Sequence, residues 1–341
     1  MTSISREVYR INPGSMKSLR ITKETLEEPG QGEVRVSLKA IGLNFADVFS
    51  VWKLYSAIPK GPFIPGLEYS GIVESVGAGA SQFKPGDRVM GICRFGAYSS
   101  HLNIDERYLV ALADTWTYSE GAAYLVQSLT AYYALLDLGG LKEGMNVLVH
   151  SAAGGVGTYA NRIAKKFGAY TIGTVGSESK VEYCKNEGYD QVIVRDNKNF
   201  GPQLKDVLDD RPLNLILECI GGPVLKEGYQ SLAEQGRMVV YGSAYYASDR
   251  DKPRFIDLFL KYKRRPMIDP QQMIQYNKGI LGFNLIYLYE RADLMHKLLE
   301  ELAELELEKP TVGETFSFDK LPDALRLFRT GKTIGKVVVT V

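Results

Sequence analysis

Residues 146–169, NVLVHSAAGGVGTYANRIAKKFGA, open as a run of strand formers, break into small residues and resume with apolar side chains at helical spacing. A strand ending at Ser151 hands the chain to a helix that begins near Gly155. The backbone N–H groups of the turn and the positive end of the helix dipole then face a common point, which is how a pyrophosphate is held. Ala152 stands at the first position of the usual Gly-x-Gly-x-x-Gly pattern, with Gly154 and Gly157 following in register. Gly154 lets a phosphate approach the backbone, Gly157 lets the helix pack on its strand, and Ala152 serves the tight turn provided its φ stays negative. Ala153, Gly155 and Val156 complete the loop, and Val156, Tyr159 or Ala160, Ile163 and Phe167 supply the buried stripe of the helix.

Strand and helix continue to alternate after this loop. YTIGTV, QVIVRD, LNLILECI and RMVVYGS follow NVLVHS as strands, with helical segments between them. Five such units predict a doubly wound parallel sheet in an α/β fold. ILGFNLIYL, residues 280–288, is expected to add a sixth strand. Upstream, the first 120 or so residues read as short strands punctuated by Gly-Pro, Pro-Gly and Pro-Gly-Asp, which predicts an irregular β domain. A helical stretch begins near Thr117, with Ser119 as the expected N-cap and Gly139 and Gly140 as its end. An amphipathic helix over 291–305, ETFSF, a helix from Pro322 and GKVVVTV close the chain and are expected to return to the first domain.

Composition narrows the functional classes. The 341 residues are 45% hydrophobic and 24% charged, near globular averages, with a net charge of +1 that gives no general reason to expect nucleic acid or an anionic membrane. Cys93, Cys184 and Cys219 are scattered with no Cys-x-x-Cys pair, and His101, His150 and His296 form no ligand spacing, so neither a disulfide framework nor a zinc lobe is expected. MTSISREVYRINPGS lacks an apolar core of signal length, and no 18 apolar residues run together, so a cytoplasmic location is expected. One segment interrupts the alternation, at about residues 244–278, and carries the dense basic run Lys261, Lys263, Arg264 and Arg265. It reads either as a solvated helix face or partner-packing arm, or, with Phe255, Leu258, Phe259 and Leu260 nearby, as a surface for anionic lipid.

The end of the second strand, TVGSESK, bears on the cofactor. An acid there bonds the ribose 2′-hydroxyl of NAD. Here the strand closes on Val175, Gly176 and Ser177, leaving room for a 2′-phosphate with Lys180 as counter-charge, and Arg195 after the third strand faces the same region. Glu178 lies past the strand, as an ordinary first-turn acid does. NADPH is therefore favoured over NADH.

AIGLNFADVF, PGLEYSGIVESVG, KPGDRVMG, LTAYYAL, HSAAGGVG and the terminal GKVVV, in this order, resemble the medium-chain dehydrogenase/reductase superfamily over essentially the whole chain, and within it the zinc-independent quinone oxidoreductase branch. GILGFNLIYL and the interruption before it are most similar to the vesicle amine transport protein subgroup. The resemblance implies a GroES-like β-rich catalytic domain, residues 1–123 completed by 290–341, and a Rossmann NAD(P)-binding domain, residues 124–289 with the insertion at about 244–278. Zinc enzymes of the superfamily carry a ligand cysteine where this chain has Asn44 and a ligand histidine where it has Leu67, so no zinc is expected and alcohol oxidation is disfavoured. By the same resemblance Tyr55 is the candidate hydrogen-bond and proton donor, Asn44 orients the nicotinamide ribose or carboxamide, and Thr130 contacts the nicotinamide. Gly221, Tyr241, Gly242, Phe283, Asn284 and Leu285 are expected to line the rest of the cofactor site. Asp47 and Glu68 read as structural carboxylates paired with a basic residue. The expected activity is NADPH-dependent hydride delivery to a quinone or an α,β-unsaturated carbonyl, an enone or enoyl thioester, by a homodimer. The alternative is a nucleotide-binding but catalytically weak membrane- or lipid-associated protein.

Overall fold

The computed structural model describes residues 3–341. The first part of the chain builds a mostly antiparallel layer. A hairpin of β1 (Ile4–Tyr9) and β2 (Ile21–Leu26) precedes β3 (Glu33–Gly42), α1 (Phe45–Val51), β4 (Glu68–Val76), β5 (Arg88–Ile92), β6 (His101–Asp105) and β7 (Leu109–Ala111). The connecting segment carries α2 (Tyr118–Gly121) and α3 (Leu125–Tyr132).

The second layer begins with β8 (Asn146–His150), α4 (Gly155–Lys166), β9 (Tyr170–Val175), α5 (Val181–Asn186), β10 (Gln191–Val194), α6 (Phe200–Leu208), β11 (Leu213–Glu218), α7 (Gly222–Ser231) and β12 (Leu232–Val240). Two helices, α8 (Phe255–Lys263) and α9 (Pro270–Tyr276), fill the interruption before β13 (Gly279–Gly282). The strand order is β10-β9-β8-β11-β12-β13, every neighbour parallel. This is the doubly wound arrangement, and its direction reverses between β8 and β11, where a crevice opens at the strand ends. The chain closes with α10 (Ala292–Glu304), β14 (Val312–Ser317), α11 (Leu321–Phe328) and β15 (Lys336–Thr340). β14 and β15 join the first layer, giving β14-β15-β3-β4-β5-β7 with β6 on β3.

Alternation along the central strands divides the parallel sheet's two cores. Val147 and Val149 face α3, α4 and α10, packing with Leu129, Ile163 and Leu298, whereas Leu148 faces α6 and α7 with Phe200, Leu204 and Val224. Helix α10, expected to return to the first domain, instead buries Met295, Leu298 and Leu302 on the parallel-sheet side, while α11 packs Leu321, Ala324 and Leu325 with Tyr9, Trp52 and Tyr98 of the first layer.

Local features differ from the sequence reading. The sixth strand, expected over residues 280–288, ends at Gly282, and Leu285–Tyr287 form a 3-10 turn. The helix expected to start at Ser119 is capped by Thr117, whose Oγ1 accepts the Glu120 N–H at 3.2 Å while Glu120 Oε2 accepts the Thr117 N–H at 2.6 Å. The reason is the reciprocal Thr-x-x-Glu capping box. That helix also breaks after Gly121 and resumes at Leu125, then widens to a π-helical turn over residues 133–138 before Gly140 ends it at φ +62°. In the loop after β8 the left-handed residue is Ser151, at φ +55°, so Ala152 keeps an ordinary conformation and no glycine is required there. Gly157 is required: a Cβ on it would lie 2.5 Å from Ser151 O and 2.6 Å from Ala152 O.

Gly157→Ala is therefore expected to destabilise the fold by ~1–3 kcal/mol, although alanine is the better helix former by about 1 kcal/mol. The check is a lower urea midpoint at unchanged m-value; an unchanged or higher midpoint contradicts the close approach.

Candidate active site

A cavity of about 1090 Å3 lies between the two layers, walled by the ends of the parallel strands on one side and by α1, the following loop, Leu67 and the end of β5 on the other. Its floor on the catalytic side is a buried polar cluster. Asn44 caps α1, its N–H donating to Asp47 Oδ2 at 2.8 Å. The Asn44 amide donates to Glu68 Oε1 at 3.0 Å and to Gly42 O at 3.3 Å, and its Oδ1 accepts from Lys336 Nζ at 2.8 Å. Lys336 also pairs with Glu68 Oε1, and Glu68 Oε2 accepts the N–H of Val126, the second residue of α3, at 3.1 Å. Lys336 is 3% exposed and Glu68 1%, so the two charges sit in an environment where each requires the other.

Both amide hydrogens of Asn44 are engaged and one lone pair of Oδ1 is held by the ammonium. The orientation of the amide is fixed, and one acceptor position remains toward the cavity. Gly42 makes the arrangement possible, because a Cβ there would fall 1.9 Å from Ala122 O and 2.9 Å from the Glu68 side chain. Lys336 is the basic residue that the sequence left unnamed. GKVVV placed it on a strand, but nothing in one dimension set its ammonium against residues 292 and 268 positions earlier. Asp47 lies fully buried beside this cluster, with Oδ1 lacking a hydrogen-bond partner. Burial pushes its carboxyl up to about 7, against the pull of the Asn44 N–H and the Lys336 charge.

Tyr55 stands on the loop after α1 and reaches across the cleft. Its hydroxyl donates to Asn284 Oδ1, just past β13, at 2.7 Å. Burial raises the hydroxyl pKa, so it stays protonated at neutral pH. Neighbouring contacts clamp the same junction: Ser56 Oγ and Tyr287 Oη are 3.0 Å apart, and the Tyr108 ring stacks on Tyr289 at 3.9 Å. Thr130 is also in the wall; its hydroxyl donates to Val126 O at 2.6 Å, leaving acceptor lone pairs for the cavity.

The opposite end is the loop after β8. Ala153, Gly154, Gly155, Val156 and Gly157 all reach the wall. The first N–H groups of α4 have no partner within the helix. A Cβ on Gly154 would meet only Ser151 O at 3.2 Å, so its backbone faces open space, whereas one on Gly155 would collide with the Gln127 side chain at 0.9 Å. Gly154 thus provides ligand access and Gly155 helix contact, a division that the spacing alone did not reveal. Such a cradle fits a dinucleotide. The catalytic layer reaches this loop through Gly335, whose N–H donates to Ala153 O at 2.8 Å.

Ser177, Lys180 and Arg195 lie along the wall beyond. Lys180 Nζ donates to Gly331 O at 2.6 Å and Thr333 O at 2.7 Å, so two of its three hydrogens hold the loop before β15 and one remains. Arg195 donates through Nε to Asn197 Oδ1 at 2.9 Å and through Nη1 to Thr174 Oγ1 at 3.3 Å. Tyr241, Gly242, Phe283, Asn284 and Leu285 complete the wall. Gly221 does not reach it: at φ +84° it turns the chain into α7, and its N–H is held by Glu218 Oε1 at 2.8 Å. Its role is the turn, which only glycine adopts without strain.

Leu67 sits in the wall with Asn44 and Cys93. The Cys93 thiol donates to Gly66 O at 3.4 Å, and burial pushes it up to about 12. Among the described residues no group of three or more His, Cys, Asp or Glu is placed to hold a metal ion.

A family model described as alcohol dehydrogenase GroES-like domain matches residues 30–122, and one described as zinc-binding dehydrogenase matches residues 155–294. The synaptic vesicle membrane protein VAT-1 homolog of Rattus norvegicus is 32% identical over 91% of this chain and 77% of its own length. The structure of Escherichia coli quinone oxidoreductase complexed with NADPH aligns with a TM-score of 0.85 and 26% identity over 99% of this chain and 100% of its own. The human VAT-1 homolog-like protein aligns at 0.83 and 26%, covering 100% and 99%.

Asp47 gives a pH test. Its folded-state pKa lies above the ordinary 3.8, so between about 4 and about 7 the folded chain binds a proton that the unfolded chain does not. Stability due to this group is full below pH 4 and falls as pH rises, by up to about 1.4 kcal/mol per unit. Stability curves of wild type and Asp47→Asn are expected to diverge across that window, the wild type losing ground as pH rises. Parallel curves would show that Asp47 titrates normally.

Proposed function

The chain belongs to the medium-chain dehydrogenase/reductase superfamily, in its quinone oxidoreductase and VAT-1-like branch, and we propose that it is an NADPH-dependent, zinc-independent oxidoreductase whose acceptor is a quinone or an α,β-unsaturated carbonyl. The observation that carries this reading is the Tyr55 hydroxyl, held at 2.7 Å from Asn284 in the wall shared with Asn44. NADPH, when bound, supplies the hydride. The protein's part is to hold the acceptor and to stabilise the charge that develops on its oxygen.

Addition of hydride to the β-carbon of an enone moves an electron pair onto the carbonyl oxygen, which requires a donor and then a proton. Tyr55 serves both needs. Asn284 fixes the phenolic oxygen, and rotation about the C–O bond turns its hydrogen from Asn284 to the acceptor. Asn44, with its amide locked by Lys336 and Glu68, offers its remaining acceptor position to a ribose hydroxyl or carboxamide. The loop of residues 153–157 takes the pyrophosphate, with Lys180 and Arg195 toward the adenosine phosphate. An amide at 44 and an alkyl chain at 67 supply neither thiolate nor imidazole for a catalytic zinc, which supports reduction of an activated acceptor over alcohol oxidation.

Tyr55→Phe is expected to lower kcat with enones by ~10²-fold or more while leaving the Kd for NADPH in place. Stopped-flow oxidation of NADPH across enones, enoyl thioesters and quinones reads it. Wild-type rates in the variant would remove Tyr55 from the chemistry, and no turnover of any acceptor by NADPH-loaded protein would overturn the reductase reading.

A second reading, association with an anionic bilayer, is favoured by the outer face of α8 and the segment after it. Of the 12 large apolar residues exposed among the described ones, eight lie between residues 255 and 276, including Phe255 at 80% and Met267 at 79%. Lys263 and Arg264 are exposed beside them. Apolar side chains flanked by cations fit a headgroup region of negative charge. Vesicles of phosphatidylcholine with phosphatidylserine are expected to co-sediment the protein at low salt, and Phe255→Ser with Phe259→Ser to abolish this. Equal recovery in the supernatant with and without vesicles would overturn the second reading and leave the first intact.

A further inference from the structure

Beneath the dinucleotide loop lies a charged cluster that neither the acceptor chemistry nor the cavity wall contains. His150 ends β8 and Glu218 ends β11; both side chains are fully buried, with Nε2 and Oε2 3.3 Å apart. Glu218 Oε1 accepts the N–H groups of Ile220 and Gly221. Burial pushes the Glu218 carboxyl up, but the neighbouring imidazole and these two N–H groups outweigh it and leave it below the usual carboxylate range. On the other side of the ring, His150 Nδ1 lies 2.8 Å from Thr174 Oγ1 in β9, and Thr174 Oγ1 in turn accepts from Arg195 Nη1 at 3.3 Å.

What each group can donate or accept sets the contacts of this cluster. A guanidinium only donates, so Thr174 Oγ1 is the acceptor toward Arg195; a second lone pair and its own hydrogen are both available to His150 Nδ1, the ring's tautomer setting which is used. Nε2, on the other side of the ring, lies 3.3 Å from Glu218 Oε2 as a close charge contact without the alignment of a hydrogen bond. Cation, hydroxyl, imidazole and carboxylate are packed in one contiguous series, linking the ends of β8, β9 and β11 to the first residue after β10. Arg195 lies in the cavity wall, whereas His150, Thr174 and Glu218 do not.

We propose that Thr174, His150 and Glu218 are positioning residues for Arg195, and that preference for the 2′-phosphate of NADPH depends on these three groups, none of which touches the cofactor. This rests on the reading above that Arg195 faces the adenosine phosphate. Removing the Thr174 hydroxyl leaves the guanidinium held through Nε by Asn197 alone and lets its Nη1 end turn away, which costs affinity only for the nucleotide that carries the phosphate. A general loss of packing would weaken both nucleotides alike.

The test is the Kd for NADPH and for NADH by fluorescence titration of the intact chain. Thr174→Val, nearly the same shape, is expected to weaken NADPH ~10-fold or more with NADH affinity retained, and Thr174→Ser to restore it. Arg195→Ala should remove the same preference, and the double variant Arg195→Ala with Thr174→Val should match Arg195→Ala alone. If Thr174→Val does not fold, as judged by circular dichroism, His150→Gln is measured by the same criterion. Should Arg195→Ala abolish the preference while Thr174→Val leaves it, or weakens both nucleotides equally, the positioning role is overturned and the phosphate reading stands. Should Arg195→Ala itself leave the preference unchanged, the phosphate reading falls and the positioning role falls with it.

Discussion

The ammonium of Lys336, buried between Asn44 and Glu68, is the constraint from which the geometry of the cleft follows. It arrives on β15, the strand that completes the catalytic sheet, one residue after the N–H that binds Ala153 of the dinucleotide loop. One short segment thus joins the catalytic sheet to the cofactor loop and fixes the amide that faces between them. A buried cation cannot be left without partners, so Asn44 and Glu68 are held wherever β15 places the charge. Glu68 carries the constraint onward to the N-terminal turn of α3 through the Val126 N–H.

The two sides of the cleft also meet at its far end, by contacts of a different kind. Tyr55 with Asn284, Ser56 with Tyr287 and the stacked pair of Tyr108 and Tyr289 are neutral and partly exposed. Neutral hydrogen bonds at a wet edge contribute little net free energy and exchange readily with water. The division places the stiff, charged junction beside the loop of residues 153–157 and the exchangeable one at the Tyr55 end of the cavity. The insertion spans the same mouth: Asp251 pairs with Arg326 and Arg329, and its carbonyl accepts the Trp52 indole N–H at 3.1 Å. Leu258 and Tyr262 of α8 reach the cavity wall while Phe255, Ile256 and Phe259 of the same helix face outward. One helix therefore borders both the cavity and the medium.

Charges in the parallel sheet are distributed by the same logic. Glu218 sits where β11 ends, and its two carboxylate oxygens serve different neighbours, one the turn into α7 and the other His150. The turn needs Gly221 for its φ, and the carboxylate satisfies the N–H groups which that turn exposes. A residue that reads in the sequence as part of an apolar strand, LNLILECI, thereby stabilises a loop beside the cofactor cavity.

The periodicity of the sequence determined the five alternating units of the parallel sheet and the strand, turn and helix of residues 146–166, because each is written in contiguous residues: alternation for strands, spacing of Gly154 and Gly157 for the turn. The Thr117 cap is equally legible, in Thr-x-x-Glu. Only the tertiary structure decided the partners of long separation. Lys336 meets Asn44 across 292 positions, Tyr55 meets Asn284 across 229, and Lys180 reaches carbonyls 151 and 153 positions away. It also decided that Gly221 shapes a turn and lies outside the cavity wall, and that Gly155 packs on Gln127. The physical reason is common to all of these. Local pattern fixes which face of an element is buried, but a buried ammonium, amide or hydroxyl takes whichever partner the folded chain brings within about 3 Å, and that proximity exists only once the two layers have closed on each other.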